Sequence, residues 1–207
     1  MLSAQTSLTF FGVSALLALA PGPDNLFVLM QSALYGRKTG LLIVLGLCTG
    51  LLVHTGTVAL GLAALLAASE TAFTVVKIAG AVYLLTLAWQ ALRARPAPLS
   101  PAAAPAGGAR MYTRGIVMNV SNPKVAVFFL AFLPQFVAPD RGNAAWQVIW
   151  LGCLFIAATL LTFGAIACFA AALGTVLRRS PRVQRWMNGL AGCLFVALAV
   201  RLAIAGR

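Results

Sequence analysis

Six long apolar stretches alternate with short polar connections along the 207-residue chain, at residues 5–31, 39–68, 72–92, 114–138, 145–177 and 184–204. A helix needs about 20 predominantly apolar residues to cross the hydrocarbon core of a bilayer, so each stretch predicts one span. The second and fifth exceed that length and should tilt or project into water. The pattern predicts an all-α membrane protein of six transmembrane helices.

The first and fourth stretches are interrupted. Pro21-Gly22-Pro23-Asp24-Asn25 sets two prolines, a glycine and a carboxylate between the uncharged residues 8–19 and 26–30. Proline removes a ladder donor and clashes with the preceding turn, so the helix should break there. A bare carboxylate in hydrocarbon is costly, and irregular backbone at that depth survives only where protein or water covers it. Break and charge together predict a polar cavity, and so transport rather than passive anchoring. Asn122-Pro123-Lys124 builds the fourth stretch in the same way with the opposite charge.

Composition supplies the setting. The chain is 61% hydrophobic and 9% charged, with a mean hydropathy of +0.96, whereas a soluble domain carries about 25% charged residues. The net charge of +12 would raise nucleic-acid binding in a soluble protein. Here the basic residues sit between apolar stretches rather than along one face, so membrane topology explains them and no nucleic-acid partner is expected.

Charge placement then sets orientation. Arg37 and Lys38 follow the first stretch. Arg93, Arg95, Arg110 and Arg114 separate the third from the fourth, and Arg178, Arg179, Arg182 and Arg185 the fifth from the sixth. The alternate connections hold Glu70, and Asp140 with Arg141. The positive-inside rule puts the basic connections in the cytoplasm and both termini outside, weakly opposed by Arg201 and Arg207. The first positive charge, Arg37, comes too late for the basic region of a signal peptide, so the first stretch is expected to be retained as a span. Residues 95–108, rich in Pro, Ala and Gly, read as flexible. They form most of a linker, 95–113, between halves 1–94 and 114–207.

Those halves resemble each other. Pro23 and Pro123 each interrupt a span near its middle, and Ala79-Gly80-Ala81-Val82-Tyr83 matches Ala191-Gly192-Cys193-Leu194-Phe195. Three spans is an odd number, so the second half enters the membrane from the opposite side. The expectation is two inverted three-helix repeats whose broken first helices meet at the midplane. Aligning Pro23 with Pro123 sets Asp24 opposite Lys124, and charges facing across a cavity offset much of each other's cost.

The candidate substrate-binding residues are therefore Asp24, Asn25, Asn119, Asn122 and Lys124, with Pro21, Gly22, Pro23 and Pro123 making the breaks. Asp24 after Gly-Pro is also a good N-cap for a helix restarting at Asn25. Lys124 lies about 10 residues from either end of its span, too far to snorkel easily. His54 is the only histidine and is usually a packing residue at such a position; with Asp24 it is also a candidate proton-handling group. Lys77 is expected to snorkel, and Gly46, Gly50, Gly56 and Gly61 to let helices pack closely. Cys48, Cys153, Cys168 and Cys193 read as small buried hydrophobes. One carboxylate, one ammonium and several amides suit a small zwitterion. An amino acid's ammonium would face Asp24, and its carboxylate Lys124 or the freed N–H groups of a restarting helix.

Ala20-Pro21-Gly22-Pro23-Asp24-Asn25, Gly36-Arg37-Lys38-Thr39-Gly40, Lys77-Ile78-Ala79-Gly80-Ala81-Val82-Tyr83-Leu84, and Asn119 to Lys124 followed by Phe128-Phe129-Leu130 and Leu133-Pro134-Gln135-Phe136 resemble the LysE/RhtB family of bacterial amino-acid exporters. The resemblance covers nearly the whole chain. It implies a multi-pass exporter of the bacterial inner membrane, driven by the proton motive force, with lipid and a small-molecule amino acid as partners and no cofactor. A homo-oligomer is compatible with it. The family's aspartate and Asn-Pro-Lys motif carry over onto Asp24, Asn122, Pro123 and Lys124. A single clear carboxylate at membrane depth favours a neutral amino acid such as threonine or homoserine over a dication.

Three other classes are weaker. A metal-ion or other cation exporter would need more than one core carboxylate or a cysteine–histidine cluster. A membrane oxidoreductase would need a cysteine pair, for which Cys48 and Cys153 are the candidates, yet neither is flanked by activating charge. A metalloprotease would need a His-Glu-x-x-His motif, and none is present. No enzymatic activity and no bound metal are expected.

Overall fold

The computed structural model describes residues 2–67, 70–94, 107–170, 172 and 180–204. Among them there is helix and no strand. The chain runs through α1 (Ala4–Leu19), α2 (Pro23–Tyr35), α3 (Arg37–Ala67), α4 (Glu70–Arg93), α5 (Gly108–Val120) and α6 (Pro123–Val127). A π-helical turn (Phe128–Phe132) and two 3₁₀ turns (Leu133–Phe136 and Pro139–Arg141) lead to α7 (Ala144–Cys168) and α8 (Pro181–Ile204).

Both predicted breaks form. α1 and α2 meet at 64°, and α5 and Pro123–Phe136 at 48°. In each case a proline opens the second segment, where its missing N–H costs nothing. Gly36, at φ +84°, turns α2 sharply into α3, a left-handed conformation that a side chain would strain. Ser3 caps α1 by accepting from the Thr6 amide at 3.1 Å, and Asn143 caps α7.

By length and composition, Arg37–Gly61, Ala144–Cys168 and Arg182–Ile204 can each cross a membrane, and the two bent pairs raise the total to five among the described residues. α4, the third predicted span, is present as a helix of 24 residues but does not join that count. Three boundaries move. α2 runs on to Tyr35, α5 starts at Gly108 rather than residue 114, and α7 ends at Cys168, short of residue 177, with Phe169 as its C-cap. The second shift follows from anchoring: Met111 is buried, and the Tyr112 hydroxyl lies 2.8 Å from Thr49 Oγ1. Residues 108–113 are therefore helical. Residues 95–106 lie outside the described residues, as do 173–179 with Arg178 and Arg179.

α3 is the central post. It runs parallel to α5, with Gly46 against Gly115 and the Tyr112 carbonyl, and Gly50 against the Asn119 side chain. It runs antiparallel to α7, where Gly40 meets Ala167 and Thr55 meets Gly152. α1 lies parallel to α7, with Trp150 donating to Ser7 at 3.1 Å near their starts and Leu17 sharing a cavity wall with Phe155 and Thr159 further along. α4 and α8 form an antiparallel pair, Gly192 against Leu92 and Gly80 against Leu202. A methyl group added to Gly56 or Gly61 would meet nothing within 4 Å, so those two of the four expected packing glycines are not at contacts. Gly46→Leu is accordingly expected to destabilise the protein by about 1–3 kcal/mol through overpacking. Gly56→Ala should leave thermal unfolding unchanged or raise it, because alanine is the better helix former.

These directions gather Arg37, Lys38, Arg93, Arg110, Arg114, Arg182 and Arg185 at one end of the bundle, and Ser3, Asp140, Arg141 and Arg201 at the other. Exposed Trp146 and Trp150 lie toward the second end, and Trp89 and Trp186 toward the first, as interfacial aromatics do. The core is aromatic: Phe10, Phe128, Phe129, Phe132, Phe136 and Phe155 are all buried. Of the cysteines only Cys48 is buried, while Cys153, Cys168 and Cys193 are exposed. An apolar residue in a lipid-facing span need not face protein, which corrects the expectation of four buried thiols.

Candidate functional site

The site is built where the two broken helices approach each other. Breaking α1 at Leu19 leaves its last carbonyls without intrahelical donors, at the negative end of the helix. Lys124 answers from the other half of the chain: its Nζ donates to the carbonyls of Leu17 and Ala20, each at 3.2 Å. Asn25 Nδ2 donates to the Ala18 carbonyl at 2.6 Å. The broken end of α1 is thus capped by an ammonium and an amide.

Asp24 does not cap its own helix. α2 begins at Pro23, not at Asn25, with Gly22 as N-cap and no side-chain cap bond. This corrects the capping expectation, and the reason is local: with Pro23 as the first helical residue, Asp24 falls inside the first turn. Its Oδ2 instead accepts from Asn122 Nδ2 at 2.7 Å. Asn122 is the residue that caps, accepting from the Lys124 amide at 3.0 Å through Oδ1. One side chain therefore holds the carboxylate of the first half and starts the second broken segment.

Asp24, Asn25, Asn119, Asn122 and Lys124 are all buried. Asp24, Asn119 and Lys124 line one narrow cavity of about 20 Å³, together with Thr159, Phe155 and Phe163. That volume holds about one water and no amino acid, so binding requires the helices around it to part. Asp24 and Lys124 share the cavity without hydrogen-bonding each other, since each has taken partners elsewhere. Asp24 Oδ1, Asn25 Oδ1 and Asn119 Oδ1 are buried acceptors with no hydrogen-bond partner. Such orphans are costly and mark places where a donor belongs.

Asn122 and Asn25 stand behind the cavity wall as supports. Gly22 lies beside Lys124 and Asn25: a methyl group placed on it would lie 3.4 Å from Lys124 Nζ and 3.8 Å from Asn25 Oδ1. His54 is not in the cavity wall. Its Nε2 lies 3.2 Å from the Asn119 carbonyl, so that nitrogen carries the proton, and its ring centroid is 5.5 Å from that of Phe129. It serves the broken end of α5 as Lys124 serves that of α1. Sequence reasoning misses Thr159, although a hydroxyl midway along an apolar helix is a signal.

No group of three or more His, Cys, Asp or Glu side chains gathers among the described residues. Cys48 is buried and Cys153 exposed, and both are free thiols.

Residues 15–206 match the family described as LysE type translocator. The threonine efflux protein of Escherichia coli (strain K12) is 30% identical over 204 residues, covering 95% of this chain and 97% of that protein. The homoserine/homoserine lactone efflux protein of Salmonella typhimurium is 33% identical over 193 residues, 93% of each. The leucine efflux protein of Enterobacter sp. (strain 638) is 30% identical over 191 residues, 90% of each. No solved structure matches the chain.

Proposed function

Since the chain belongs to the LysE type translocator family, a family of amino-acid efflux transporters, we propose that this multi-pass membrane protein exports a neutral amino acid across the bacterial inner membrane. One observation carries the reading. Two orphan acceptors, Asp24 Oδ1 and Asn119 Oδ1, share a cavity with the Lys124 ammonium. An α-ammonium supplies the donors those oxygens lack, and an α-carboxylate suits Lys124.

The architecture we infer is six spans in two inverted three-helix repeats. Its support lies in the pairings: α1 runs parallel to α7 as α3 does to α5, while α3–α7 and α4–α8 are antiparallel. A two-fold axis in the membrane plane would generate that set. The end carrying Arg37, Lys38, Arg110 and Arg114 is assigned to the cytoplasm and both termini to the outside, by the positive-inside rule. Coupling to the proton motive force would run through Asp24. Its protonation from outside removes the countercharge of the substrate ammonium and releases it, and deprotonation toward the cytoplasm restores the site. His54, bonded to a backbone carbonyl, serves as a brace in this scheme, so His54→Gln should retain most of the export.

Threonine and homoserine fit a site with one carboxylate, as the names of two relatives suggest. The test is excretion profiling. Cells expressing the chain are fed dipeptides, and the amino acids appearing in the medium are compared with a vector control. Threonine or homoserine should rise. A rise confined to lysine and arginine, or no rise in any amino acid, would sink the reading.

A further inference from the structure

A second cavity, of about 450 Å³, opens at the end of the bundle that carries the start of α1 and the close of α8. Its walls are mixed: Gln5, Gln135, Asp140, Arg141 and Arg201 line it beside Phe136. Arg201 sits in the last turn of α8. Arg201 is exposed, and its guanidinium lies over two rings, the central carbon 4.7 Å from the Phe136 centroid and 5.6 Å from that of Phe132. A guanidinium stacked by its face keeps its edge donors for a planar, bidentate anion.

Behind this vestibule lies a continuous aromatic plug. Phe136 meets Phe10 at 5.1 Å and Phe132 at 5.3 Å. Phe10 and Phe132 meet Phe128 at 5.8 and 4.9 Å, and Phe128 meets Phe155 at 5.2 Å. Phe155 lines the central cavity and Phe136 the vestibule. The plug therefore closes the direct way between them. Phe128 and Phe132 bound the π-helical turn, the kind of irregular segment that recurs at functional sites.

We propose that the vestibule is a second, exit-side site for the exported amino acid, with Arg201 holding its carboxylate beyond the aromatic plug. Asp140, on the same cavity, is placed for the ammonium. Asp140 and Arg201 thus stand in the vestibule as Asp24 and Lys124 do in the central cavity, with Arg141 as a further cation on the same wall, and the recognised part is the zwitterionic backbone rather than the side chain. This rests on the reading that a zwitterion leaves through the central site.

The test is protection of a thiol in the vestibule. Gln135→Cys is placed in a chain whose four native cysteines are replaced by serine and which still exports. Right-side-out vesicles are labelled with a membrane-impermeant maleimide, with external L-threonine or L-threoninamide. Threonine should slow labelling as 1 + [L]/Kd, about threefold at twice its Kd, while threoninamide, lacking the carboxylate, should not. Arg201→Gln should remove the protection and Arg201→Lys keep part of it. Unprotected labelling at the parental rate in both variants shows that the vestibule is intact. Asp24→Asn should leave protection in place, separating this site from the central one. Absent labelling, no protection by threonine, equal protection by threoninamide, or protection that survives Arg201→Gln or vanishes with Asp24→Asn overturns the proposal. If export is then still lost on Asp24→Asn, the central reading stands. If export is untouched by Asp24→Asn while threonine protects through Arg201, the central reading falls and the vestibule site remains.

Discussion

Asp24→Asn is expected to cut export about 10- to 150-fold, the loss that follows from removing one charge-assisted hydrogen bond of about 1.5–3 kcal/mol. The substitution keeps the shape of the side chain. Its amide oxygen can still accept from Asn122 Nδ2, which now bonds Asp24 Oδ2 at 2.7 Å. The amide nitrogen then replaces Oδ1, the acceptor that has no partner. A donor would face the substrate ammonium where an anion stood. Packing is preserved and Lys124 keeps the Leu17 and Ala20 carbonyls, so the variant should still fold into the membrane, though less stable than the parent for want of the countercharge. The measurement is the initial efflux rate from dipeptide-loaded cells, normalised to the amount of protein in the membrane. A parental rate would reduce Asp24 to a tether for Asn122, and the binding site would have to be sought around His54.

Lys124→Met is the second large effect, and it strikes stability as well as export. The ammonium-bearing residue is 7% exposed and holds the Leu17 and Ala20 carbonyls at the broken end of α1. Its loss frees both carbonyls and leaves Asp24 as an uncompensated buried charge, a change that costs about 3–5 kcal/mol. The variant should melt well below the parent and not export. Adding Asp24→Asn to Lys124→Met removes the stranded carboxylate, so thermal stability should partly return while export stays absent. Coupling of that sign is the mark of two charges sharing one site. If the double variant is no more stable than Lys124→Met, the charges do not compensate each other.

The breaks are legible because proline acts on its own turn: Pro23 and Pro123 each open a helical segment whatever surrounds them. The long apolar stretches are legible for the same reason, since length and hydropathy are summed along the chain. The charges can be placed at depth, but not their partners. Sequence sets Asp24 opposite Lys124, whereas in the structure Asn122 takes Asp24 and the carbonyls of α1 take Lys124. Hydrogen bonds between residues 98 and 107 positions apart are decided by how two helix ends abut.

Faces are the least legible feature. In lipid both sides of a span can be apolar, so hydropathy carries no inward direction. That is why Cys153, Cys168 and Cys193 lie outward while Thr159 reaches the cavity. It is also why Arg201, which sequence marks only as a weak exception to the charge rule, turns out to sit over Phe132 and Phe136. Residue order alone specifies the helical membrane class, the two broken helices and which charges lie at depth, because each depends on local backbone chemistry or on summed hydropathy. Which atoms those charges bind, which acceptors are left orphaned and which rings close the way out are settled later, by how helices distant in sequence pack against one another.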